Sequence, residues 1–248
     1  MKVVCIVPAR AGSVSIKDKN IQLVGGKPLI SYPVLVAKAL GLPLAISTDS
    51  QEYMKIALDA YTGSTGKLEA DQIVTLIHRP KELAEDVGTE LVVEHVLEKW
   101  EAAKDADIIV LMQPTTPFTT PETVKKCIEA IEKDYNSAIS VRKVVEYPNW
   151  MITKDFEGKA CLDVCGKPLA RMFEEPLFAH ETLIRQNLDD YYIPTGGCYA
   201  VRMDIFKKWK SLMVSPCKCI VVPRFEGLDI DEPVDLEIAR MAKEKGLV

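Results

Sequence analysis

A polar loop after the first apolar run of the chain carries residues that are suited to holding phosphate. The run from Lys2 to Val7 is mostly β-branched and is followed by a stretch rich in Gly, Ser, Lys and Asn. Gly12 and Ser13 let backbone N–H groups turn toward an anion, and Arg10 and Lys19 supply positive charge. A solvated basic loop has the same composition, so the loop alone leaves both interpretations open.

Two better-known phosphate-binding motifs are absent from this part of the sequence. The segment Gly25-Gly26-Lys27-Pro28 places proline where a P-loop needs Ser or Thr, and no G-x-G-x-x-G pattern follows the first apolar run. The sequence therefore gives no support to a P-loop ATPase or to a dinucleotide-dependent dehydrogenase.

A pair of carboxylates near the end of the chain is a candidate metal site. Asp229 and Asp231 are two residues apart, so in an extended segment their side chains point to the same side. Carboxylate and phosphate oxygens are the ligands that Mg²⁺ prefers. The alternative is that Asp231 only caps the last predicted helix and Asp229 is an exposed surface residue.

Two further polar segments follow predicted strands. Gln113-Pro114-Thr115-Thr116-Pro117 is a loop stiffened by two prolines, and Gln113 can both donate and accept hydrogen bonds. The segment from Arg79 to Asp86 begins with an arginine at a strand end. The alternatives are an ordinary strand-to-helix turn and a surface cluster of ion pairs.

The sequence shows no convincing pairing of a nucleophile with a base, but transfer of a phosphoryl group can proceed by positioning and charge neutralisation.

The elements that must position these residues alternate between strand and helix. This alternation predicts an α/β fold with a Rossmann-like, mostly parallel sheet flanked by helices. In such sheets ligands bind beyond the carboxyl ends of the strands, where the polar segments lie. The predicted strands are 2–7, 44–47, 73–77, 107–112, 138–142, 196–201 and 219–222, and the predicted helices are 28–40, with Pro28 in its first turn, 51–60, capped by Ser50, 89–104, 121–134 and 233–245.

The alternation stops between residues 145 and 192, a segment that contains several Pro and Gly residues and short β-like pieces. We therefore predict a main α/β domain formed by residues 1–144 and 193–248. Residues 145–192 are predicted to form a small inserted lobe.

Composition excludes several classes of function. The chain of 248 residues has 31 Lys and Arg against 36 Asp and Glu, a net charge of −5, which does not favour binding to nucleic acid. No apolar run approaches the roughly 20 residues that span a bilayer, so no membrane association is expected. The seven cysteines show no metal-site spacing, and a reducing, cytoplasmic location is the simpler expectation.

Taken in order, the motifs resemble the acylneuraminate cytidylyltransferase family, the CMP-sialic acid synthetases. The matching segments run from one end of the chain to the other, and eight of them in family order make a strong signal. They are Val7-Pro8-Ala9-Arg10-Ala11-Gly12-Ser13, Lys19-Asn20, Gly26-Lys27-Pro28-Leu29, Ser47-Thr48-Asp49, Arg79-Pro80-Lys81-Glu82-Leu83-Ala84-Glu85-Asp86, Gln113 to Pro117, Gly196-Gly197-Cys198-Tyr199 and Asp229-Ile230-Asp231.

The resemblance implies an enzyme that couples CTP to a 2-keto-3-deoxy sugar acid of the sialic or legionaminic type and releases pyrophosphate. It implies catalytic roles for Arg10, Lys19, Asp229 and Asp231, with Mg²⁺ held by the two aspartates. It also implies a homodimer that is formed through the inserted lobe. The expected nucleotide contacts are Ala9, Arg10, Gly12, Ser13, Lys19, Asn20, Arg79 and Asp86, and the expected sugar-acid contacts are Gln113, Thr115, Arg185, Gln186 and Tyr199.

The chain departs from the family pattern at two places that would face a ligand. Val14-Ser15 stands where the family often has Lys-Gly, and Thr195 stands where it commonly has Asn. Three alternatives stay open: a KDO cytidylyltransferase, a related enzyme that uses GTP, and a non-catalytic regulator that binds a nucleotide sugar. The KDO branch typically has Arg-Leu-Pro in its first loop, which this chain lacks, and the presence of both Asp229 and Asp231 disfavours the regulator.

Overall fold

Strands and helices alternate along most of the chain in the computed structural model, which describes residues 1–63, 66–68, 72–85, 87–146, 152–154, 160–164, 167–168 and 189–248. The strands are β1 (Val3–Pro8), β2 (Leu23–Val24), β3 (Lys27–Pro28), β4 (Leu44–Thr48), β5 (Val74–His78), β6 (Ile108–Leu111), β7 (Ser137–Lys143), β8 (Ile152–Lys154), β9 (Ala160–Val164), β10 (Lys167–Pro168), β11 (Tyr192–Arg202) and β12 (Cys217–Val221). The helices are α1 (Ser31–Ala39), α2 (Gln51–Thr62), α3 (Lys81–Ala84), α4 (Thr89–Lys99), α5 (Pro121–Glu132), α6 (Met203–Trp209) and α7 (Pro233–Glu244).

Seven of these strands form one sheet in the order β12-β7-β11-β6-β1-β4-β5. β1 pairs in parallel with β4 on one side and with β6 on the other, and β4 pairs in parallel with β5. β12 also pairs in parallel with β7, whereas β11 runs antiparallel to β6. The predicted Rossmann-like, mostly parallel sheet is therefore confirmed.

Helices cover both faces of this sheet, which explains why its central strands are apolar throughout. Along β1, Cys5 and Val7 are buried in a cluster with residues of α1, α2 and α5. Val4 and Ile6 point to the other face and are buried in a cluster with residues of α4 and α6. The two-residue alternation of a strand thus supplies both halves of the core.

Side-chain caps fix the starts of three helices at the places that the sequence indicates. The Ser50 hydroxyl accepts a hydrogen bond from the Tyr53 N–H at 3.3 Å, as predicted for α2. Thr120 caps α5 in the same way, accepting from the Thr123 N–H at 3.2 Å. The cap of α7 is Glu232, within a capping box, and not Asp231. The structure therefore does not support the alternative that Asp231 only caps the last helix.

The predicted helix beginning at Pro28 is wrong at its start. Gly25 and Gly26 both have positive φ angles, 54° and 75°, and they turn the chain back on itself. The turn lets Pro28 pair with Leu23 in a short hairpin, β2–β3, and α1 begins at Ser31. A Gly-Gly turn between short strands is a hairpin signal that outweighs the preference of proline for a first helical turn.

Other boundaries differ by smaller amounts. The predicted helix 89–104 ends at Lys99, because Trp100 adopts an extended conformation and a short 3₁₀ turn, Glu101–Ala103, follows it. The short helices α3 and α6 were not predicted, because four to seven residues carry too little periodicity to be recognised.

The chain divides into two compact units, the first formed by Met1–Arg142 with Pro194–Val248 and the second by Lys143–Ile193. In the second unit β9 pairs antiparallel with both β8 and β10. The role of this segment as a dimerisation lobe stays a prediction. Among the described helices, none is both long and apolar enough to cross a membrane.

Candidate active site

A cleft opens at the carboxyl edge of the sheet, at the point where the chain order reverses. β1 has β4 on one side and β6 on the other, so the loops that leave these strands diverge and leave a crevice between them. The cleft has a volume of about 600 Å³. It is lined by Pro8, Arg10, Ser13, Val14, Ser15, Lys19, Asn20, Arg79, Leu83, Glu85, Val87, Thr89, Val92, Gln113, Pro114, Thr115, Asp229 and Asp231.

The loop that follows β1 is fixed to the end of β4 by its own backbone. The Ala9 N–H donates to the Ser47 carbonyl at 2.9 Å, and the Ala11 N–H donates to Asp49 Oδ1 at 2.8 Å. The buried Asn20 closes the loop by donating from Nδ2 to the Arg10 carbonyl at 2.8 Å. The N–H groups of Ala9 and Ala11 are therefore bound within the protein. The side chain of Arg10, which lies between them in the sequence, lines the cleft.

Two arginines supply positive charge on one wall of the cleft. Arg79 is 4% exposed, and its Nη2 and Nε donate to the carbonyl and hydroxyl oxygens of Ser47 at 2.9 and 3.3 Å. The pKa of Arg79 is lowered to about 10, mainly by burial; the nearby charge of Asp49 opposes the change and that of Arg10 adds to it. Arg10 also donates to the Ala84 carbonyl at 3.4 Å, so both guanidinium groups are held in place.

The cleft is also lined by the two aspartates that precede α7. Lys19 Nζ lies 3.2 Å from Asp231 Oδ1 and donates to the Ile230 carbonyl at 3.0 Å. The Ser15 hydroxyl donates to the Asp231 carbonyl at 2.6 Å. The phosphate loop and the aspartate segment, which are more than 200 residues apart in the chain, are thus joined directly.

Asp229 lies deeper than Asp231, and its environment disfavours the charged form. Burial raises the pKa of this carboxyl group, and the charge of Asp231 raises it further, whereas a hydrogen bond from Thr115 and the charge of Lys19 lower it. Its Oδ1 is buried and has no hydrogen-bond partner among the described residues. A buried carboxylate oxygen without a partner is costly, and such an atom marks a place for a ligand.

Gln113 reaches the same part of the cleft because the neighbouring strand has no side chain there. Gly196 has a φ angle of 77°, and a Cβ atom on it would lie 2.3 Å from Gln113 Oε1 and 3.7 Å from Asp229 Oδ2. Thr195 holds this turn, since its hydroxyl accepts from the Gly197 N–H at 3.2 Å and lies 2.7 Å from the Ser140 hydroxyl. Thr195 therefore has a structural role in placing Gly196 between Gln113 and Asp229.

Most of the residues expected from the sequence meet in this cleft. Those that line it are Arg10, Ser13, Lys19, Asn20, Arg79, Gln113, Thr115, Asp229 and Asp231. Ala9 is fully buried with its N–H bound to Ser47, and neither Gly12 nor Tyr199 is among the lining residues. Tyr199 lies near Asp229, whose charge adds to burial in raising the tyrosine pKa. Asp86, Arg185 and Gln186 lie outside the described residues.

Sequence reasoning missed part of one wall of the cleft and one residue behind it. The wall runs from α3 into α4; Leu83 and Glu85 were noted only within the motif from Arg79 to Asp86, and Val87, Thr89 and Val92 were not singled out. No composition signal separates the last three side chains from ordinary helix residues, because it is the direction of the chain after β5 that brings them to the cleft. Asp49 was noted only as part of a motif, although it binds the phosphate loop.

Comparison with known proteins agrees with this geometry. Residues 4–150 match the family model described as Cytidylyltransferase. The CMP-N,N'-diacetyllegionaminic acid synthase of Legionella pneumophila is 26% identical over 238 residues, which cover 95% of this chain and 93% of that protein. The N-acylneuraminate cytidylyltransferase of Streptococcus agalactiae serotype V is 27% identical over 237 residues, 93% of this chain and 51% of that protein. The chain thus spans about half the length of the streptococcal relative.

Solved structures share the fold. A CMP:2-keto-3-deoxy-manno-octonic acid synthetase complexed with CTP superposes with a TM-score of 0.63 at 18% identity, covering 99% of this chain and 100% of that one. The 4-diphosphocytidyl-2C-methyl-D-erythritol synthase of Anaerococcus prevotii gives a TM-score of 0.61 at 13% identity, covering 98% of each chain.

The family match covers more than half of the chain and includes Arg10, Lys19, Arg79 and Gln113, all of which line the cleft. The resemblance to the acylneuraminate cytidylyltransferases is confirmed by relatives that match almost the whole chain. The chain belongs to the cytidylyltransferase family of nucleotidyltransferases.

Proposed function

We propose that the protein transfers the cytidylyl group of CTP to a nonulosonic sugar acid of the sialic or legionaminic type, giving the CMP-sugar and pyrophosphate. The observation that carries the proposal is that Arg10, Arg79, Asp229 and Asp231 line a single cleft. Basic groups suit a triphosphate and paired carboxylates suit its metal ion. The relatives that match most of this chain are named for legionaminic, N-acylneuraminic and pseudaminic acids.

The cleft offers separate surfaces for the parts of a nucleotide. The phosphates would contact Arg10 and Lys19 at the loop after β1, where negative charge is favoured. Leu83, Val87 and Val92 form an apolar wall on which a base can lie, with Arg79 at its edge. The sugar acid would take the end of the cleft near Gln113, where Gly196 leaves room.

The two aspartates have the chemistry that a magnesium site requires. Asp229 Oδ1 is a buried oxygen without a partner among the described residues, and Asp231 carries an exposed carboxylate two residues away. No group of three or more candidate ligands occurs in the described part of the chain. Mg²⁺ is commonly held by one or two carboxylates together with substrate phosphates and water, so a pair is sufficient. When bound, the ion would neutralise phosphate charge and favour loss of pyrophosphate.

The chain's own residues would then orient the reaction. The anomeric hydroxyl of the acid would attack the α-phosphorus and release its proton to solvent, while a new O–P bond forms and the bond to the pyrophosphate oxygen breaks in line with it. Gln113 holds the acid in position, while Arg10 and Lys19 stabilise negative charge that develops on the phosphates.

We also propose that the protein acts as a homodimer and that the unit Lys143–Ile193 forms the contact, as expected from the family resemblance. Light scattering of the purified protein tests this proposal. A mass of twice 27.6 kDa is the expected result, and a monomer at all concentrations would contradict it.

A panel assay tests the substrate assignment. Pyrophosphate release is measured with each of the four nucleoside triphosphates, Mg²⁺, and sialic, legionaminic, pseudaminic or KDO acid. We expect turnover with CTP and a nine-carbon acid. Preference for KDO or for GTP would support the corresponding alternative. Binding of a CMP-sugar without turnover of any pair would support a regulator instead.

A further inference from the structure

The end of β4 supports two parts of the cleft that are distant in sequence. The Ser47 carbonyl accepts both from the Ala9 N–H at 2.9 Å and from Arg79 Nη2 at 2.9 Å. The Thr48 carbonyl accepts from the Arg79 N–H at 2.9 Å. The phosphate loop and the buried arginine therefore share one support, the last residues of β4.

Asp49 directly follows Thr48, the last residue of β4, and adds a negative charge to this support. Its Oδ1 accepts from the Ala11 N–H at 2.8 Å, one residue beyond Arg10. The same carboxylate lies near the Arg79 guanidinium, which also has Arg10 as a neighbour. Asp49 is not among the residues that line the cleft, so its effect on a ligand has to pass through these partners.

Charge balance explains why a carboxylate is placed here. Arg79 is almost fully buried, and a second guanidinium close to it raises the electrostatic cost of its charge. The nearby charge of Asp49 offsets part of this cost. Tyr53 and Asp18 are further neighbours of Asp49. The tyrosine hydroxyl donates to Asp18 Oδ1 at 3.4 Å, and the charge of Asp49 contributes to raising the pKa of Tyr53.

We infer that Asp49 is a positioning residue for the anion site. Its carboxylate fixes the loop after β1 through the Ala11 N–H, and it supplies a countercharge to the buried Arg79 guanidinium, which has Arg10 as a neighbour. This role of Asp49 applies to any phosphate chain that binds in the cleft. It rests on the proposed function only in naming CTP as the molecule that carries the phosphates.

Binding experiments on three variants separate positioning from folding. Asp49→Ala removes both the hydrogen-bond acceptor and the charge, whereas Asp49→Asn keeps an Oδ1 acceptor for the Ala11 N–H. Ser50→Ala is the matched control, because it removes the neighbouring cap of α2, which contacts the Tyr53 N–H and not the loop. Binding of CTP and of inorganic tripolyphosphate is measured by calorimetry, with melting temperature recorded for every variant.

The expected result is a dissociation constant raised about tenfold to a hundredfold for both ligands in Asp49→Ala, the effect of losing a hydrogen bond to a charged group. Asp49→Asn should recover part of this loss. Ser50→Ala should lower the melting temperature, with affinity unchanged. Amide exchange of Ala11 should be faster in Asp49→Ala than in Asp49→Asn.

Three outcomes would overturn the inference. The first is an affinity for both ligands in Asp49→Ala that equals that of the wild type. The second is a loss of affinity in Ser50→Ala that equals the loss in Asp49→Ala when the two variants have the same melting temperature. The third is wild-type protein that binds neither ligand, since no anion site would then exist. Wild-type protein that binds tripolyphosphate but not CTP would contradict the proposed nucleotide alone, and the tripolyphosphate affinities would still decide the role of Asp49.

Discussion

Lys19 Nζ lies 3.2 Å from Asp231 Oδ1 and joins the loop after β1 to the segment before α7. The lysine side chain is 11% exposed and the aspartate side chain 72% exposed, so the ammonium group is enclosed while the carboxylate stays open to the cleft. The pair places a positive and a negative group at the mouth of one site. A triphosphate with a metal ion presents the complementary arrangement of charges, which is the arrangement that the proposed reaction requires.

Replacement of Lys19 tests the phosphate contact. Lys19→Met should raise the dissociation constant for CTP about tenfold to a hundredfold, because a charged donor to phosphate is lost. Lys17→Met is the control, since Lys17 is an exposed lysine two residues earlier in the same loop. Calorimetric titration with CTP measures both. Equal affinities in the two variants would place the phosphates away from Lys19.

Replacement of Asp231 tests the metal role. Asp231→Asn should lower kcat by about 10²- to 10³-fold, the scale of losing one preorganised electrostatic contact in an active site, while the melting temperature changes little. Glu237→Gln removes an exposed acidic residue of α7 that pairs with Arg240 at 2.6 Å, and it should leave kcat unchanged. Pyrophosphate release at saturating CTP and Mg²⁺ is the measurement. A fully active Asp231→Asn enzyme would remove Asp231 from the site.

Because the pKa of Asp229 is raised, we predict that its ionised form lowers the stability of the fold although the metal role requires that form. A carboxyl group whose folded pKa is raised binds its proton more tightly in the folded state than in the unfolded state. Its contribution to stability is therefore fully present below the ordinary pKa and is lost as the pH rises through the raised value. At neutral pH the ionised Asp229 therefore lowers the free energy of unfolding of the wild type, whereas Asp229→Asn has no carboxylate at this position.

Thermal unfolding measures this effect directly. Asp229→Asn should melt at a higher temperature than wild type at pH 7, and the two curves should converge at low pH. Addition of Mg²⁺ should raise the melting temperature of the wild type and have little effect on the variant. A variant less stable than wild type at neutral pH would show that the ionised Asp229 stabilises the fold instead.

Gly196 allows a separate test of the space in front of Gln113. Gly196→Ala would put a Cβ atom 2.3 Å from Gln113 Oε1, so the glutamine must move and the KM for the sugar acid should rise more than that for CTP. Gly41→Ala is the control, because Gly41 also has a positive φ angle, 62°, but a Cβ atom on it would meet no other atom within 4 Å. Both variants carry a similar backbone penalty of about 1–2 kcal/mol. Similar kinetics in the two variants would show that Gln113 does not contact the acid.

The sequence predicted the fold well where local and long-range preferences agree. The run before Pro8 and the run from Ile108 to Leu111 are buried on both faces, and their β-branched composition shows it directly. The start of α1 was wrong because two preferences competed over Pro28, and the turn at Gly25 and Gly26 decided the result. The direction of β11 could not be predicted, because antiparallel pairing with β6 depends on the path of a chain segment that has no regular pattern.

The site was predictable in its charged residues and not in its supports. Arg10, Lys19 and Asp231 could be chosen because their chemistry identifies them, and the strand order then brings them together. Asp49 acts through the Ala11 N–H of a neighbouring loop and Thr195 through the Gly197 N–H of its own strand, roles that many Asp and Thr residues could have. Such roles depend on which loops meet, and that information is present only in the folded chain.

The most direct test of the proposed reaction is identification of its product. The protein is incubated with CTP, Mg²⁺ and a nine-carbon keto sugar acid, and the mixture is analysed by mass spectrometry for the CMP-sugar and for released pyrophosphate. We predict one pyrophosphate for each CMP-sugar in the wild type and a large loss of both in Asp231→Asn. Formation of CMP without a sugar adduct, or no consumption of CTP with any such acid, would contradict the proposed reaction.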